Sequence, residues 1–319
     1  MNEEMIENSE PKIKRKLGDN ILVLYVETFA MILGGQLLGR ILIGLVLGLM
    51  SAFIPYVDEI PACMTAADYA AFIGIWIVGL VFTGAVKKNR GILKAQWTAP
   101  KGNRLSFLFL GFFIGFILNG ICVLAAWLNQ DISLVFDGFH PLSFVMVLVC
   151  VFIQSAAEEF MCRGFLYQRL RKGYKNPWVA IIGSSLFFAV AHLFNEGVTV
   201  FSLINITLVG ILFAMMVYYM DSIWCAYAVH TAWNITQNIV FGLPNSGNPA
   251  VYSVFKIDLD NSKNSFAYNV IFGIEGTVLS VIVLALACMA LYLWGRKYGK
   301  KPYNIWEENN ELVTGINQN

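Results

Sequence analysis

Charge is scarce in this sequence of 319 residues. Only 13% of the residues are charged, whereas 57% are hydrophobic, and the mean hydropathy is +0.63. A soluble domain has about a quarter of its residues charged. No hydrophilic stretch is long enough to form a separate soluble domain. We therefore predict a single integral membrane domain that crosses the lipid bilayer several times.

Cysteine motifs and basic patches are also missing. The six cysteines are scattered mostly through apolar segments and include no CxxC pair, which argues against a disulfide framework and a zinc knuckle. The formal net charge is +1, and no basic patch is interleaved with aromatic residues, so no nucleic-acid partner is expected. The first apolar segment is too long for a signal peptide, and we predict that it is retained.

Long apolar runs fill most of the chain and predict an all-α polytopic membrane protein with about eight transmembrane helices. The expected spans are residues 28–52, 67–86, 105–128, 143–168, 177–194, 198–220, 223–243 and 268–295. The polar residues 1–20 are predicted to form a cytoplasmic N-terminal segment. Residues 21–300 would form the membrane domain, and residues 301–319 a cytoplasmic C-terminal tail.

The positive charges divide unevenly between the two sides of this arrangement. With a cytoplasmic N-terminus, 18 of the 22 Lys and Arg residues fall in inside segments, and only Lys256 and Lys263 lie in outside loops. Cytoplasmic segments of membrane proteins are enriched in Lys and Arg. The pattern predicts that both termini are cytoplasmic. The expected location is the bacterial cytoplasmic membrane.

Three charged residues lie inside an apolar span, in the stretch QSAAEEFMCRGFLYQRL that begins at Gln154. One charge at the centre of a membrane helix costs about 2.5–3.5 kcal/mol on insertion scales. Glu159 and Arg163 are four residues apart, which is salt-bridge spacing on a helix. Glu158 lies ~100° around the helix and lacks that partner. The pattern predicts one paired acid and one free acid; a buried network that only ties helices together is the alternative.

Two of the three histidines also lie in predicted spans. His192 is near the end of the fifth span, and His230 is in the seventh, with Asn234 one turn later. Glu158 and His192 lie at nearly equal distances, ~21–22 Å, from the basic turn that joins their helices. We expect Glu158 to meet the two histidines and the asparagine in one site. The depth of the basic turn predicts that the site opens toward the cytoplasm, about 10–15 Å deep.

These residues resemble the motifs of the CPBP intramembrane proteases, also known as Abi proteins. Three motifs follow one another in the family's order between about residues 143 and 245: Glu158-Glu159-x-x-x-Arg163, Phe188-x-x-x-His192 and His230-x-x-x-Asn234. The family includes CAAX prenyl endopeptidases, bacteriocin self-immunity proteins and lysostaphin resistance protein A. The resemblance implies an endopeptidase that acts on a peptide or a membrane-anchored protein.

The resemblance also implies a catalytic site of six residues: Glu158, Glu159, Arg163, His192, His230 and Asn234. The first glutamate would act as the general base on a water molecule. The second glutamate and the arginine would hold the helix and the local charge. His192 would orient the water or bind a metal, while His230 and Asn234 would stabilise the oxyanion of the tetrahedral intermediate.

Metal dependence stays open in the sequence. Glu158, His192 and His230 could hold zinc or another divalent metal through an O/N/N ligand set with one open position. No HExxH pair is present on one helix, and no carboxylate is evident to support either histidine. A metal-free mechanism, in which the glutamate alone activates the water, is the alternative.

Two functions without proteolysis also remain open. A non-catalytic immunity or regulatory protein of the same fold would bind a membrane partner, and a proton- or metal-coupled transporter also uses intramembrane Glu and His residues. An unpaired acid favours the enzyme, and the lack of a detectable repeat or of paired broken spans argues against a transporter. Glu275 is expected inside the last span. Residues 242–266 are expected to form a connecting loop on the outer side; a loop that covers the outer mouth is the alternative.

Overall fold

The computed structural model describes residues 19–299 and 302–306. Within these ranges the regular structure is almost entirely helical, with one two-stranded sheet. The prediction of an all-α protein is confirmed. Most of the two predicted terminal segments, 1–20 and 301–319, lies outside the described residues.

The described part of the chain contains eleven α-helices, and two of them continue directly into π-helical segments. The helices are α1 (Ile21–Ser51), α2 (Pro61–Ala70), α3 (Ile73–Ala85), α4 (Gly91–Gln96), α5 (Leu105–Leu128), α6 (Pro141–Glu159), α7 (Tyr167–Gly173), α8 (Pro177–Ala191), α9 (Val200–Tyr219), α10 (Ile223–Asn234) and α11 (Val278–Tyr298). The π-helical segments are Phe160–Leu166, which joins α6 to α7, and Ile235–Val240, which follows α10.

The remaining regular elements are short. Single 3-10 turns occupy Val57–Glu59, Lys87–Asn89 and Ile274–Gly276. Strand β1 (Leu134–Phe136) pairs antiparallel with β2 (Phe255–Ile257). The strands lie in the loop before α6 and in the loop after α10, so the sheet joins two loops that are far apart in sequence.

Six helical stretches of the described chain are long and apolar enough to cross a membrane: 21–51, 61–85, 105–128, 141–173, 200–219 and 278–298. The predicted count of eight is therefore not confirmed. The other two expected spans correspond to α8, which has 15 residues, and to α10 with its π-helical continuation, which carries the polar site residues. Eleven of the twelve α10 residues are buried. A helix enclosed by protein need not present a long apolar surface to lipid.

Local signals mark the beginnings of the helices that carry the site. The Asn176 side chain accepts a hydrogen bond from the Trp178 backbone N–H, and Pro177 occupies the first position of α8. The Ser222 side chain accepts from the Cys225 N–H at the start of α10. Such caps satisfy backbone N–H groups that have no partner inside the helix. They fix where each helix begins, and therefore the depth of its polar residues.

The predicted basic turns come together at one end of the molecule, which we call the basic end. Arg169 pairs with Asp19 at 2.9 Å and donates to the Asn89 side chain at 2.9 Å. The carboxylate of Asp221 accepts from the backbone N–H groups of Lys101 and Tyr303. The start of α1, the segment between α3 and α5, the turn after α9 and the chain after α11 therefore meet at the basic end.

The opposite end, which we call the sheet end, carries β1, β2 and the loops around them. The Asp137 backbone N–H donates to the Val254 carbonyl beside the sheet. The Asn195 side chain donates to the Ser246 carbonyl and thereby links the loop after α8 to the loop after α10. The loop predicted as a plain connector, 242–266, is thus held to its neighbours by hydrogen bonds.

Glycines allow α5 to pack closely against α10. A Cβ atom at Gly111 would lie 2.7 Å from the Ala228 Cβ, and one at Gly115 would lie 2.8 Å from the Ala232 Cβ and would also collide with the Val229 carbonyl. Small residues at such contacts let two membrane helices approach at backbone distance. This packing fixes the position of the α10 segment that carries His230 and Asn234.

Candidate active site

The two site-bearing helices change geometry beside the site. Glu159 is the last residue of α6, and Arg163 lies in the π-helical segment that follows. Asn234 is the last residue of α10, and a second π-helical segment begins at the next residue. π-helical turns are rare and occur frequently at functional sites. Nothing in the sequence pattern predicted these two transitions.

Glu159 and Arg163 form the predicted ion pair. The Arg163 Nη1 lies 2.9 Å from the Glu159 Oε1, and both side chains are fully buried. The guanidinium also lies over the rings of Phe188 and Phe213, at 4.7 Å and 5.4 Å from their centroids. Aromatic faces attract cations electrostatically. The arginine is thus enclosed by one carboxylate and two rings, beneath the site.

His230 connects the two glutamates. Its Nδ1 lies 3.1 Å from the Glu159 Oε1, and its Nε2 lies 3.7 Å from the Glu158 Oε2. Because Glu159 is the charged partner of Arg163, its carboxylate can only accept, and His230 therefore donates its Nδ1–H to it. The imidazole stacks on the Phe213 ring with centroids 5.3 Å apart. The contact between His230 and Glu159 was not predicted from the sequence.

Glu158 has the environment expected of the free acid. Its side chain is 18% exposed, in contrast to the fully buried side chain of Glu159. It faces the Nε2 of His230 and lines a cavity of about 850 Å³. Two adjacent carboxylates are therefore presented differently, one to a buried arginine and one to open space.

His192 follows the last residue of α8. Its Nδ1 lies 2.8 Å from the Phe188 carbonyl, and its ring lies edge-on to the Phe188 ring with centroids 4.6 Å apart. A carbonyl oxygen can only accept, so the Nδ1 carries the hydrogen. In the neutral ring, the Nε2 is then free to accept a hydrogen bond. His192 can therefore hold a water molecule in the cavity that it lines.

Asn234 lies against α6. Its Nδ2 donates to the Gln154 side-chain carbonyl at 3.1 Å and to the Ser155 hydroxyl at 3.2 Å. These two partners were missed from the sequence, although Gln154 stands one helical turn before Glu158. Both amide hydrogens of Asn234 can be used in this contact. The amide that was expected to serve the oxyanion also ties α10 to α6.

Four of the six predicted catalytic residues line the same cavity: Glu158, His192, His230 and Asn234. Glu159 and Arg163 do not line it and lie buried beneath it. Further walls come from α1, α2, α9 and the loops at the sheet end. The predicted opening of the site toward the basic turns is not confirmed, since the lining loops belong to the other end.

Glu275 is located differently from the sequence-based expectation. It lies in the 3-10 turn Ile274–Gly276, three residues before α11, and therefore outside the candidate span that begins at Val278. Its carboxylate accepts from the Trp233 indole N–H at 3.0 Å and from the Ser246 backbone N–H and hydroxyl at 2.6 Å and 2.7 Å. Glu275 thus links the loop after α10 to the cavity wall.

The donor set expected for a metal does not form in this arrangement. Among the described residues, no group of three or more His, Cys, Asp and Glu side chains is placed to hold a metal ion. Glu158 and His230 approach each other, but His192 does not join them in a group of three potential ligands. The described residues therefore do not fit a zinc or other divalent metal site.

Residues 140–236 match the family model described as Type II CAAX prenyl endopeptidase Rce1-like. This segment is therefore similar to the CAAX prenyl endopeptidases. All three predicted motifs fall inside it, although it covers less than a third of the chain. The resemblance stated from the motifs is confirmed, and it is a resemblance to a family of membrane proteases. No curated protein matches the chain in sequence.

The Rce1-like segment contains only part of the cavity. It supplies α6, α8, α9 and α10, together with the π-helical segment that carries Arg163. The cavity walls from α1 and α2, Glu275 and the loop residues Asn245, Ser246, Asn248 and Pro249 lie outside the matched residues. The family resemblance therefore covers the motif residues but not the surfaces that surround them.

Proposed function

We propose that this protein is an intramembrane endopeptidase in which Glu158 activates a water molecule to hydrolyse a peptide bond. The observation that carries this proposal is that two adjacent acids differ in their burial and in their partners. Glu159 is neutralised in a buried pair, whereas Glu158 is partly exposed in a cavity shared with two histidines. Keeping a second acid outside the buried arginine pair in an apolar protein has an energetic cost that a scaffold would not need to bear.

The proposed reaction uses groups that line the cavity. Glu158 takes a proton from water, and the resulting hydroxide bonds to the scissile carbonyl carbon. His192 accepts a hydrogen bond from the same water through its Nε2 and orients it. The C–N bond then breaks, and Glu158 returns the proton to the leaving amine. Atoms balance with one water consumed for each peptide bond.

The oxyanion of the tetrahedral intermediate requires hydrogen-bond donors. When both ring nitrogens of His230 are protonated, the Nδ1–H is given to Glu159 and the Nε2–H remains for the oxyanion. Asn234 is the second proposed donor. For this role its amide must turn from Gln154 and Ser155 toward the cavity. Alternatively, one amide hydrogen stays bonded to α6 and the other is donated to the oxyanion. The roles of both residues can be tested separately from the role of Glu158.

The proposed topology has eight crossings and both termini in the cytoplasm of a bacterial cell. Its support is the 18-to-2 division of Lys and Arg residues and the clustering of the basic turns at one end. In this arrangement α10 crosses within the protein, enclosed by the other helices, whereas α8 presents an exposed apolar face that includes Ile182, Leu186 and Val190. Substrates of three kinds fit the proposal so far: a prenylated C-terminus, a leader peptide and a membrane-anchored signalling protein.

A non-catalytic regulatory or immunity protein is the second candidate. The observation that favours it is the use of the Asn234 amide in a contact between α6 and α10. In that case the polar residues would serve helix packing, and Glu158 would contribute to partner binding alone. No contact in the described part of the chain favours the transporter.

Comparative peptidomics of membranes separates the two candidates. Cells that express the protein, cells that lack it and cells that express Glu158→Gln should be compared. A matched control is Glu59→Gln, because Glu59 is an exposed acid in a turn at the sheet end that does not line the cavity. The enzyme predicts peptides present only with wild type and the control. Identical peptides with Glu158→Gln and wild type would contradict it.

A further inference from the structure

We infer that the substrate reaches Glu158 from the membrane face opposite the basic turns, and that it is a polypeptide segment exposed on this non-cytoplasmic face. The inference rests on the proposed peptidase function and on the proposed orientation of the basic turns. It departs from the sequence-based expectation of a cytoplasmic opening. Three observations carry it: the walls of the cavity, its floor and the length of α8.

The walls of the cavity include loops of the sheet end. Asn195, Ser246, Asn248, Pro249 and Glu275 all line it, and Asn248 and Pro249 are exposed. Ser246 ties these loops together, because its carbonyl accepts from Asn195 while its N–H and hydroxyl donate to Glu275. Asn195, Ser246 and Glu275 are thus hydrogen-bonded to one another. Together with Asn248 and Pro249 they form the wall of the cavity at the sheet end, which we call the rim.

The floor of the cavity faces the basic end. The chain runs from the site toward the basic end through residues 160–170, and every one of them is buried. The Arg163 guanidinium fills the space between Phe188 and Phe213 in this layer. No residue of the basic segments 87–104, 169–175 or 302–306 lines the cavity. The packed layer therefore separates the site from the basic turns.

The length of α8 brings the sheet-end loops close to the site. α8 has 15 residues, which span ~22 Å, whereas the hydrocarbon core of a bilayer is about 30 Å thick. It begins beside the basic turn at Pro177, so its other end stops inside the membrane. Irregular backbone at membrane depth is tolerated where it is buried in protein or lines a water-filled cavity. The loop after His192 therefore places water access on the sheet side.

The surfaces around the site suit a membrane-anchored polypeptide. Asn195 and Asn248 carry amides, which can both donate to and accept from a peptide backbone. On the α1 side the cavity is lined by Leu33 and Leu37, which are 53% and 64% exposed. This apolar, exposed wall can accommodate a hydrophobic flank of the substrate from the lipid. The substrate is thus expected to be cleaved next to a membrane anchor, on its non-cytoplasmic side.

Thiol labelling of the full-length protein tests the side of access without requiring activity. Val209→Cys places a thiol in the cavity wall, and Asn248→Cys places one at the rim. Lys101→Cys is the matched control, because Lys101 is exposed at the basic end. Each variant is treated with a small charged methanethiosulphonate that does not cross membranes, in intact spheroplasts and in inverted vesicles. Labelling of the six native free cysteines is measured in the parent protein and subtracted.

Val209→Cys and Asn248→Cys should be labelled in spheroplasts and protected in inverted vesicles, whereas Lys101→Cys should show the reverse. Substrate analogues are not needed for this result. Labelling of Val209→Cys only in inverted vesicles, or in neither preparation, would overturn the inference. Labelling of Lys101→Cys in spheroplasts would overturn the proposed orientation of the basic turns, on which the inference rests.

Sided cleavage separates the failure of this inference from the failure of the proposed function. The probe is a mixture of charged, quenched fluorescent peptides of random sequence, added to sealed membranes of each orientation. Cleavage that depends on Glu158 should occur with right-side-out membranes alone. Cleavage with inverted vesicles alone would overturn the inference and leave the peptidase intact. No Glu158-dependent cleavage in either orientation or in detergent would overturn the peptidase, and the thiol labelling would still decide the side of access.

Discussion

At the residue scale, the site depends on one buried carboxylate that accepts hydrogen bonds from two side chains. Glu159 accepts from Arg163 at 2.9 Å and from His230 at 3.1 Å. Removing one partner of a buried charge pair leaves the other charge without compensation. The resulting loss of folding stability is far larger than the stability that the pair itself adds. Glu158, one residue earlier, is partly exposed and outside this pair. Neighbouring residues of the same type therefore have different consequences when mutated.

Replacing each glutamate by glutamine should separate folding from activity. Glu159→Gln should destabilise the protein by about 3–5 kcal/mol, because Arg163 is left as an uncompensated buried charge. Glu158→Gln should unfold at the wild-type temperature and lose activity. The measurement is thermal unfolding of both purified variants in detergent, beside a peptidase assay. Equal destabilisation of the two variants would contradict the division between a structural and a catalytic acid.

Substitution of Asn234 should show whether its amide serves the reaction. Asn234→Ala should lower kcat by about 10²–10³-fold with little change in KM, the effect of removing one oxyanion donor. Asn234→Asp should also be impaired, because a carboxylate cannot donate a hydrogen bond. Both variants are to be measured by steady-state kinetics together with thermal unfolding. A wild-type kcat in Asn234→Ala would contradict the oxyanion role. The amide would then serve only its hydrogen bonds to Gln154 and Ser155.

At the element scale, the contacts that follow from neighbouring positions in sequence were predictable, and those between helices were not. The spacing of Glu159 and Arg163 along the chain was sufficient to predict their pair. The bond from His230 to Glu159 joins positions 71 residues apart, and it depends on how α10 packs against α6. No local pattern encodes that packing.

The position of Glu275 shows the same limit. Hydropathy placed it inside the last span, because apolar residues surround it in the sequence. The chain instead turns at Gly273, which has a φ of +84°, and α11 begins only at Val278. A left-handed conformation of this kind is favourable only for glycine among common residues. Gly273 therefore marks a turn that hydropathy does not reveal.

The α5–α10 contact should be sensitive to side-chain size. Gly115→Val should displace α10, because its Cβ would collide with the Val229 carbonyl and lie 2.8 Å from the Ala232 Cβ. Overpacking of this kind costs about 1–3 kcal/mol or more. Gly120→Val in the same helix is the control, because no atom lies within 4 Å of its added Cβ. Thermal unfolding of both variants should show a loss of stability for Gly115→Val alone. Equal losses of stability would mean that helix propensity, and not the contact with α10, causes the effect.

At the scale of the whole molecule, the sequence predicted the helical class and the family resemblance, while the number of crossings remains a prediction. Six stretches are long and apolar enough to cross a membrane. α8 and α10 were predicted as spans of equal standing, yet α8 is short and α10 is almost completely buried. Hydropathy cannot distinguish a helix that faces lipid from one that is enclosed by protein. The expected opening toward the cytoplasm is not confirmed either, because loops of the sheet end line the cavity and their positions do not follow from hydropathy.

Reporter fusions test the proposed orientation directly. A fusion after Gly173 should report a cytoplasmic position, because it follows the basic stretch 169–172, and cytoplasmic segments are enriched in Lys and Arg. A fusion after Ser253 should report the opposite side, since this position lies beside the sheet. Activity of a cytoplasmic reporter and of a periplasmic reporter is measured at each point. A reversed pair of results would contradict both the orientation and the charge distribution on which it is based.

The most direct test of the central claim is the rate of peptide cleavage by purified wild type and Glu158→Gln after treatment with a metal chelator. The account predicts that chelated wild type keeps its activity, because no metal-binding group forms among the described residues. It predicts that Glu158→Gln is slower by about 10²–10⁴-fold, the usual contribution of a general base, while still binding the peptide. Cleavage by Glu158→Gln at the wild-type rate would contradict the account, and so would an activity that chelation removes and metal restores.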